Sequence, residues 1–144
     1  MNGAIQPYRG DYLRPAFHNA TVADVMTPGL IMCAPEAPVE TVAELMATHT
    51  VHAIANGGIK DRRVWGIVDS LDLMRAVGDP QANRFAEDIG GRPAVTIEPG
   101  AAVTEAAALM TKRGVAHLVV VDRERPVGVI STLDIAGAVA WGRR

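Results

Sequence analysis

Few residues in this chain have a type and spacing that could do chemistry, and the best of them share one short string. Gly128, Ser131 and Asp134 lie where an apolar strand turns into a terminal helix. A hydroxyl at a helix start, beside free backbone amides and the positive end of the helix dipole, can hold a phosphate. A carboxylate one turn on can accept hydrogen bonds from two adjacent hydroxyls. The same Ser-x-x-acid spacing is an ordinary capping box, which stabilises a helix with no ligand. An earlier string, Gly66, Asp69, Ser70 and Asp72, has the same layout, with Asp69 where the later one carries a hydroxyl.

Other candidates read more plainly. His52 and His117 fall on strands beside these strings, where an imidazole could meet an anion or be a half-buried ring without a task. His18 and His49 suggest no partner, and four scattered histidines with one cysteine do not make a zinc site. Cys33 follows Met32 on an apolar strand and reads as a small core residue rather than a reactive thiol. Trp65, next to Gly66, could stack on a ligand or cover the sheet. The sequence offers no Ser-His-Asp set and no Gly-x4-Gly-Lys-Ser/Thr phosphate loop. Asp72 and Asp134 are each expected to cap their own helix, which argues against a paired acid and base. An enzyme is not expected.

The elements that must position these residues follow from composition and repetition. Apolar residues make up 49% of the 144 and aromatics 4%, so the core must be built from Val, Ile, Leu, Met and Ala. That suits short strands covered by small-faced helices. A net charge of −2 offers no basic field for nucleic acid or a membrane surface. The single cysteine excludes an internal disulfide and fits a reducing compartment. The opening MNGAIQPYRGDY lacks a signal-peptide layout, and the longest apolar run, about half a dozen residues, is far below the roughly 18 that span a bilayer. A soluble, cytoplasmic protein is expected.

The chain contains two copies of one unit. Displacing it by 64 lays Asp24 on Asp88, Pro35 on Pro99, Met46 on Met110 and Val51 on Val115; later the displacement is 62, laying Gly66 on Gly128 and Asp72 on Asp134. The difference falls in a turn, NGGIKDRR in the first copy and the shorter DRERP in the second. Thr21 and Asp24 predict a capped helix, followed by a brief strand (30–33, 94–97). Val39, Val42, Ala43 and Met46, like Val103, Ala106, Ala107 and Met110, fall at i, i+3, i+4, i+7 of an amphipathic helix. Strands over 51–56 and 116–121, then 64–68 and 127–130, precede final helices over about 70–77 and 132–140. The predicted class is α/β (α+β), two β-α-β-β-α repeats packed through their sheets as a pseudo-twofold pair, with a cleft at the seam. The divisions are an extension over 1–19, carrying Tyr8, Tyr12 and Phe17, repeats over 20–78 and 86–141, and a linker over 79–85.

Through VADVMTP (22–28), ELM (44–46) and ALM (108–110), RGVAHLVVVD (113–122), GIVDSLDL (66–73) and GVISTLDI (128–135), the sequence resembles the cystathionine-β-synthase (CBS) domain pair, or Bateman module. The resemblance covers about residues 20–140 and occurs twice in order. It implies a regulatory, energy-sensing module that binds AMP, ADP, ATP or S-adenosylmethionine between its repeats and acts through a homodimer or an effector protein. The alternative is a ligand-free scaffold of the same fold. The family's Gly-hydrophobic-x-Thr/Ser-x-x-Asp string implies a second-repeat site of Thr96, Ile97, Ala116, His117, Leu118, Ser131, Thr132 and Asp134. The corresponding first-repeat set is Cys33, His52, Ala53, Asp69, Ser70 and Asp72. There Asp69 would oppose a phosphate: two like charges about 4 Å apart repel by ~1 kcal/mol in water and ~4 kcal/mol at an effective dielectric near 20. The first cleft is therefore expected to be empty, or to take an uncharged nucleoside, a metal-bridged phosphate or a cationic ligand.

Overall fold

Local signals place most elements where the sequence predicts them. The computed structural model describes residues 19–58, 63–79, 85–90 and 93–141; the extension and most of the linker lie outside them. The first repeat forms α1 (Val22–Val25), β1 (Thr27–Pro28), β2 (Met32–Cys33), α2 (Val39–His49), β3 (Ala53–Gly57), β4 (Val64–Asp69) and α3 (Ser70–Gly78). The second forms α4 (Ala86–Ile89), β5 (Thr96–Ile97), α5 (Val103–Arg113), β6 (His117–Asp122), β7 (Arg125–Ser131) and α6 (Thr132–Trp141). Thr21 caps α1 as expected: its hydroxyl accepts the Asp24 amide at 3.3 Å and its own amide donates to the Asp24 carboxylate at 2.9 Å. The long helices stop at equivalent left-handed residues, α2 at Thr50 (φ 53°) and α5 at Gly114 (φ 64°).

The strands make two sheets, one ordered β2-β3-β4 and one ordered β1-β7-β6-β5. β1 was not expected. It belongs to the first repeat yet pairs antiparallel with β7 of the second, Thr27 opposite Val129 and Pro28 opposite Gly128. Its placement follows from an exchange of opening helices. The amides of Val22 and Ala23 donate to the carbonyls of Ala101 and Pro99, and, at equivalent positions, those of Ala86 and Glu87 donate to Ala37 and Pro35. The core beneath β6 and β7 therefore contains Ala20, Val22 and Val25 with Val103, Leu118 and Ile130. The core beneath β3 and β4 contains Ala86 and Ile89 with Val42, Ile54 and Val68. Neither sheet covers itself; each borrows a helix from the other repeat.

Strand alternation then sorts the side chains. Leu118, Val120 and Ile130 point into a helix-covered core, so His117, Val119, Val129 and Ser131 point to the opposite face. Ile54 and Val68 do the same in the other sheet, turning Ala53, Ala55, Ile67 and Asp69 outward. Val119 and Ala55 are nonetheless buried (0% and 4% exposed), because these outer faces meet at the seam.

Candidate binding cleft

Among the described residues, two cavities of unequal size lie at the seam. The larger is about 560 Å³ and reaches the start of α6, where Ser131, Thr132 and Asp134 line it. Its other walls are the chain following β1, from Gly29 to Ile31, and the starts of β3 and β6, with His52, Ala53, Ala116 and His117. The smaller is about 30 Å³, room for roughly two waters. It lies between Asp69, Asp72 and the Pro93–Val95 segment, which is the repeat equivalent of Gly29–Ile31. Ile67, Ala116 and His117 line both.

The structure thus redistributes the residues expected at the two sites. Ala116, His117, Ser131, Thr132 and Asp134 meet at the large cavity. Thr96, Ile97 and Leu118 do not line it. Leu118 is fully buried on the core face of β6, so it cannot share a surface with His117. Thr96 and Ile97 lie on β5, beyond β6 from β7, with Ile97 packed against the core. Beside β7 lies β1 instead, and the residues from Thr27 to Ile31 line the cavity there. Of the first-repeat set, His52, Ala53 and Ser70 open into the large cavity, whereas Asp69 and Asp72 line the small one. Cys33 lines neither; it is buried in a core, and that burial pushes its thiol up. Thr27, Leu30, Ile31 and Thr50 line the large cavity and were not anticipated.

The two equivalent carboxylates differ in what they hold. Asp72 caps α3 with Asp69, accepting the Asp69 amide at 3.0 Å, and carries an ion pair with Arg75 at 3.0 Å. Asp134 caps α6 with Ser131, accepting the Ser131 amide at 2.9 Å, while the Ser131 hydroxyl accepts the Asp134 amide at 3.1 Å. The repeat equivalent of Arg75 is Gly137, which has no charge to offer. The second carboxylate instead accepts the Thr27 hydroxyl, at 3.1 and 3.4 Å to its two oxygens.

His117 stands between the cavities. Burial lowers its pKa; Asp69 and Asp134 pull it up, and His52 pushes it further down. Gly128 is required by packing: a Cβ there would sit 2.5 Å from the Thr27 carbonyl oxygen and 3.3 Å from the Pro28 Cα, which would push β1 off the sheet. Among the described residues no group of His, Cys, Asp and Glu could hold a metal ion, and no helix is long and apolar enough to cross a membrane.

Comparison with known proteins agrees with this arrangement. A CBS-domain family model matches residues 22–79 and again 86–140. The chain is 33% identical over 142 residues to a homoserine O-acetyltransferase of Methanohalophilus mahii, a match covering 93% of this chain and only 28% of that protein. It superposes with a TM-score of 0.76 and 22% identity on the CBS domain pair of protein MJ0100, solved with 5′-methylthioadenosine and S-adenosyl-L-methionine, covering 84% of this chain and 96% of that one. For CBSX2, solved in complex with AMP, the TM-score is 0.69 at 21% identity, covering 83% and 96%. Two matched units in series, folded together as in these pairs, show that the chain belongs to the CBS-domain family and carries one CBS-domain pair.

Proposed function

We propose that this CBS-domain pair is a regulatory module that binds one adenosine-type ligand per chain, in the large cleft, and signals through a dimer or an effector protein. One observation carries the reading. A cleft of about 560 Å³, within the range of small-molecule sites, opens onto a carboxylate that no lysine or arginine pairs among the described residues. Asp134 would accept the ribose hydroxyls in place of Thr27, and the apolar walls at Leu30, Ile31 and Val129 would enclose adenine. The bound molecules of the MJ0100 and CBSX2 structures belong to the same chemical class. The first-repeat cleft stays empty in this reading, since it measures only about 30 Å³ and is lined by Asp69 and Asp72.

Signalling would follow from population shift, the ligand favouring one arrangement of the repeats or of a dimer. Leu71, Met74 and Val77 on α3 and Leu133 and Trp141 on α6 are more than half exposed, which supports an assembly that covers them. The second reading is a ligand-free scaffold, favoured by the Ser131–Asp134 capping box, which is complete without a ligand. A thermal-shift series separates the two. A nucleoside at a hundred times its dissociation constant adds about 2.7 kcal/mol of stability, several degrees in melting temperature. Asp134→Ala should abolish that shift, and a flat series across adenosine, AMP, ATP and S-adenosylmethionine selects the scaffold.

A further inference from the structure

We propose that Thr27 is a built-in competitor for the ligand, an autoinhibitory contact that sets the affinity of the large cleft. Its hydroxyl occupies the edge of the Asp134 carboxylate that a ligand's adjacent hydroxyls would take. The inference rests on the adenosine-binding reading and adds a regulation of that same site.

Thr27 and Asp134 both line the cleft, and the hydroxyl donates to both carboxylate oxygens, at 3.1 and 3.4 Å. The Ser131 amide holds one of these oxygens from the helix start, at 2.9 Å. A carboxylate has about four acceptor positions, and a pair of adjacent hydroxyls needs two of them, one on each oxygen. Thr27 spans the two oxygens with a single proton. One incoming hydroxyl would exchange one donor for another and gain little. Two would replace a shared contact with two separate ones, so a diol can displace Thr27 where a lone hydroxyl cannot.

Neither the helix cap nor the strand depends on this hydroxyl. Displacing the chain by 64 lays Thr27 on Gly91, which has no hydroxyl to donate. Asp72, the equivalent of Asp134, still caps α3 by accepting the Asp69 amide at 3.0 Å. β1 is seated by its main chain: Thr27 and Pro28 pair with Val129 and Gly128, and the Gly29 amide donates to the Val127 carbonyl at 2.9 Å. The helix before it is anchored separately, through Val22 and Ala23 to Ala101 and Pro99. The Thr27 side chain can therefore leave Asp134 while the strand keeps its main-chain bonds.

Ligand and Thr27 then exclude one another at Asp134, and each weakens the other by the same factor. The contact raises the ligand concentration at which the cleft fills. Filling it removes a tie between the repeats, since Thr27 belongs to the first and Asp134 to the second.

Isothermal titration of the full chain provides the test. The probes are adenosine, AMP and S-adenosylmethionine, which carry the ribose diol, and 2′,3′-dideoxyadenosine, which lacks it. Thr27→Val keeps the shape and β-branching of the side chain and removes the donor, so it should fold. Each diol that binds the unaltered chain should bind Thr27→Val about fivefold more tightly, the scale of one net hydrogen bond. The dideoxy compound cannot replace Thr27 and should gain nothing. Thr27→Ser restores the donor and should return the affinities to those of the unaltered chain. A purely structural role for Thr27 has the opposite sign, since a loosened β1 would weaken the cleft wall and lower affinity. Diols that bind Thr27→Val no more tightly than the unaltered chain overturn this inference and leave the adenosine-binding reading intact. An equal gain for the dideoxy compound, or a Thr27→Ser chain that behaves like Thr27→Val, also overturns it. Binding of no probe to any of the three proteins overturns both.

Discussion

The hydroxyl of Thr27 donates to the carboxylate of Asp134 across 107 residues of sequence, at 3.1 Å to the nearer oxygen. The contact ties β1, a strand of two residues, to the first turn of the last helix, and it crosses from one repeat to the other. In the binding mode proposed above, a ligand's hydroxyls would replace Thr27 on this carboxylate, which would couple occupancy of the cleft to the seating of β1. Thr27→Val should cost about 1 kcal/mol, and Asp134→Ala about 2 kcal/mol because the α6 cap is lost as well. The double variant should be no less stable than Asp134→Ala alone, since the Thr27 contact then has nothing left to lose. Urea unfolding of the four proteins measures this cycle; additive losses would mean that the two groups do not interact.

The exchange of opening helices makes a stronger demand. Residues 20–78 alone lack Ala86 and Ile89 from their core, and residues 86–141 alone lack Ala20, Val22 and Val25, all at most 8% exposed in the whole chain. Each fragment by itself should show no cooperative unfolding by circular dichroism, and mixing the two should restore it. A cooperative transition in either isolated fragment would show that the borrowed helix is dispensable.

The two long helices stop in the same way with different residues. Thr50 adopts φ 53°, where a β-branched side chain is strained, and its equivalent Gly114 adopts φ 64° freely. Thr50→Gly should therefore raise stability by about 1 kcal/mol, whereas Gly114→Thr should lower it by a similar amount. Midpoints in urea decide the matter. A loss in the first variant would mean that the Thr50 side chain contributes more to the cleft wall than its backbone costs.

His117 should make stability depend on pH. Burial places its folded pKa below its unfolded value, so as pH falls the unfolded chain takes up the proton first. The stability associated with the neutral ring is fully present above the unfolded value, about 6.5, and is lost as pH falls from there toward the folded value. Urea midpoints should decline over that interval, and His117→Gln should flatten the decline. Asp69→Asn keeps a good helix cap while removing a group that favours the imidazolium, so it should steepen the decline. A His117→Gln profile parallel to that of the unaltered chain would assign the dependence to other groups.

Much of this architecture was legible in the residues alone. The duplicated pattern, the i, i+3, i+4, i+7 spacing from Val39 and from Val103, and the capping pairs at Thr21 and Ser131 are local, and local geometry obeyed them. The resemblance to the CBS-domain pair implied Ser131, Asp134 and His117 at the seam, and they line the cleft. Repetition, however, says nothing about which copy a segment joins. Thr27 and Thr96 belong to strands of one sheet, and only the docking of α1 against the second core puts β1 beside β7 and leaves β5 beyond β6. The exclusion of Leu118 follows from the two-residue alternation of β6, whose register is set by pairing with β7. The repeat likewise does not announce unequal cavities: Asp72 and Asp134 hold equivalent positions, yet the cavity at Asp72 is about 30 Å³ and the one at Asp134 about 560 Å³. Burying the apolar side chains of both copies brought each opening helix across to the other repeat, and that crossing set β1 beside β7 at the wall of the large cleft.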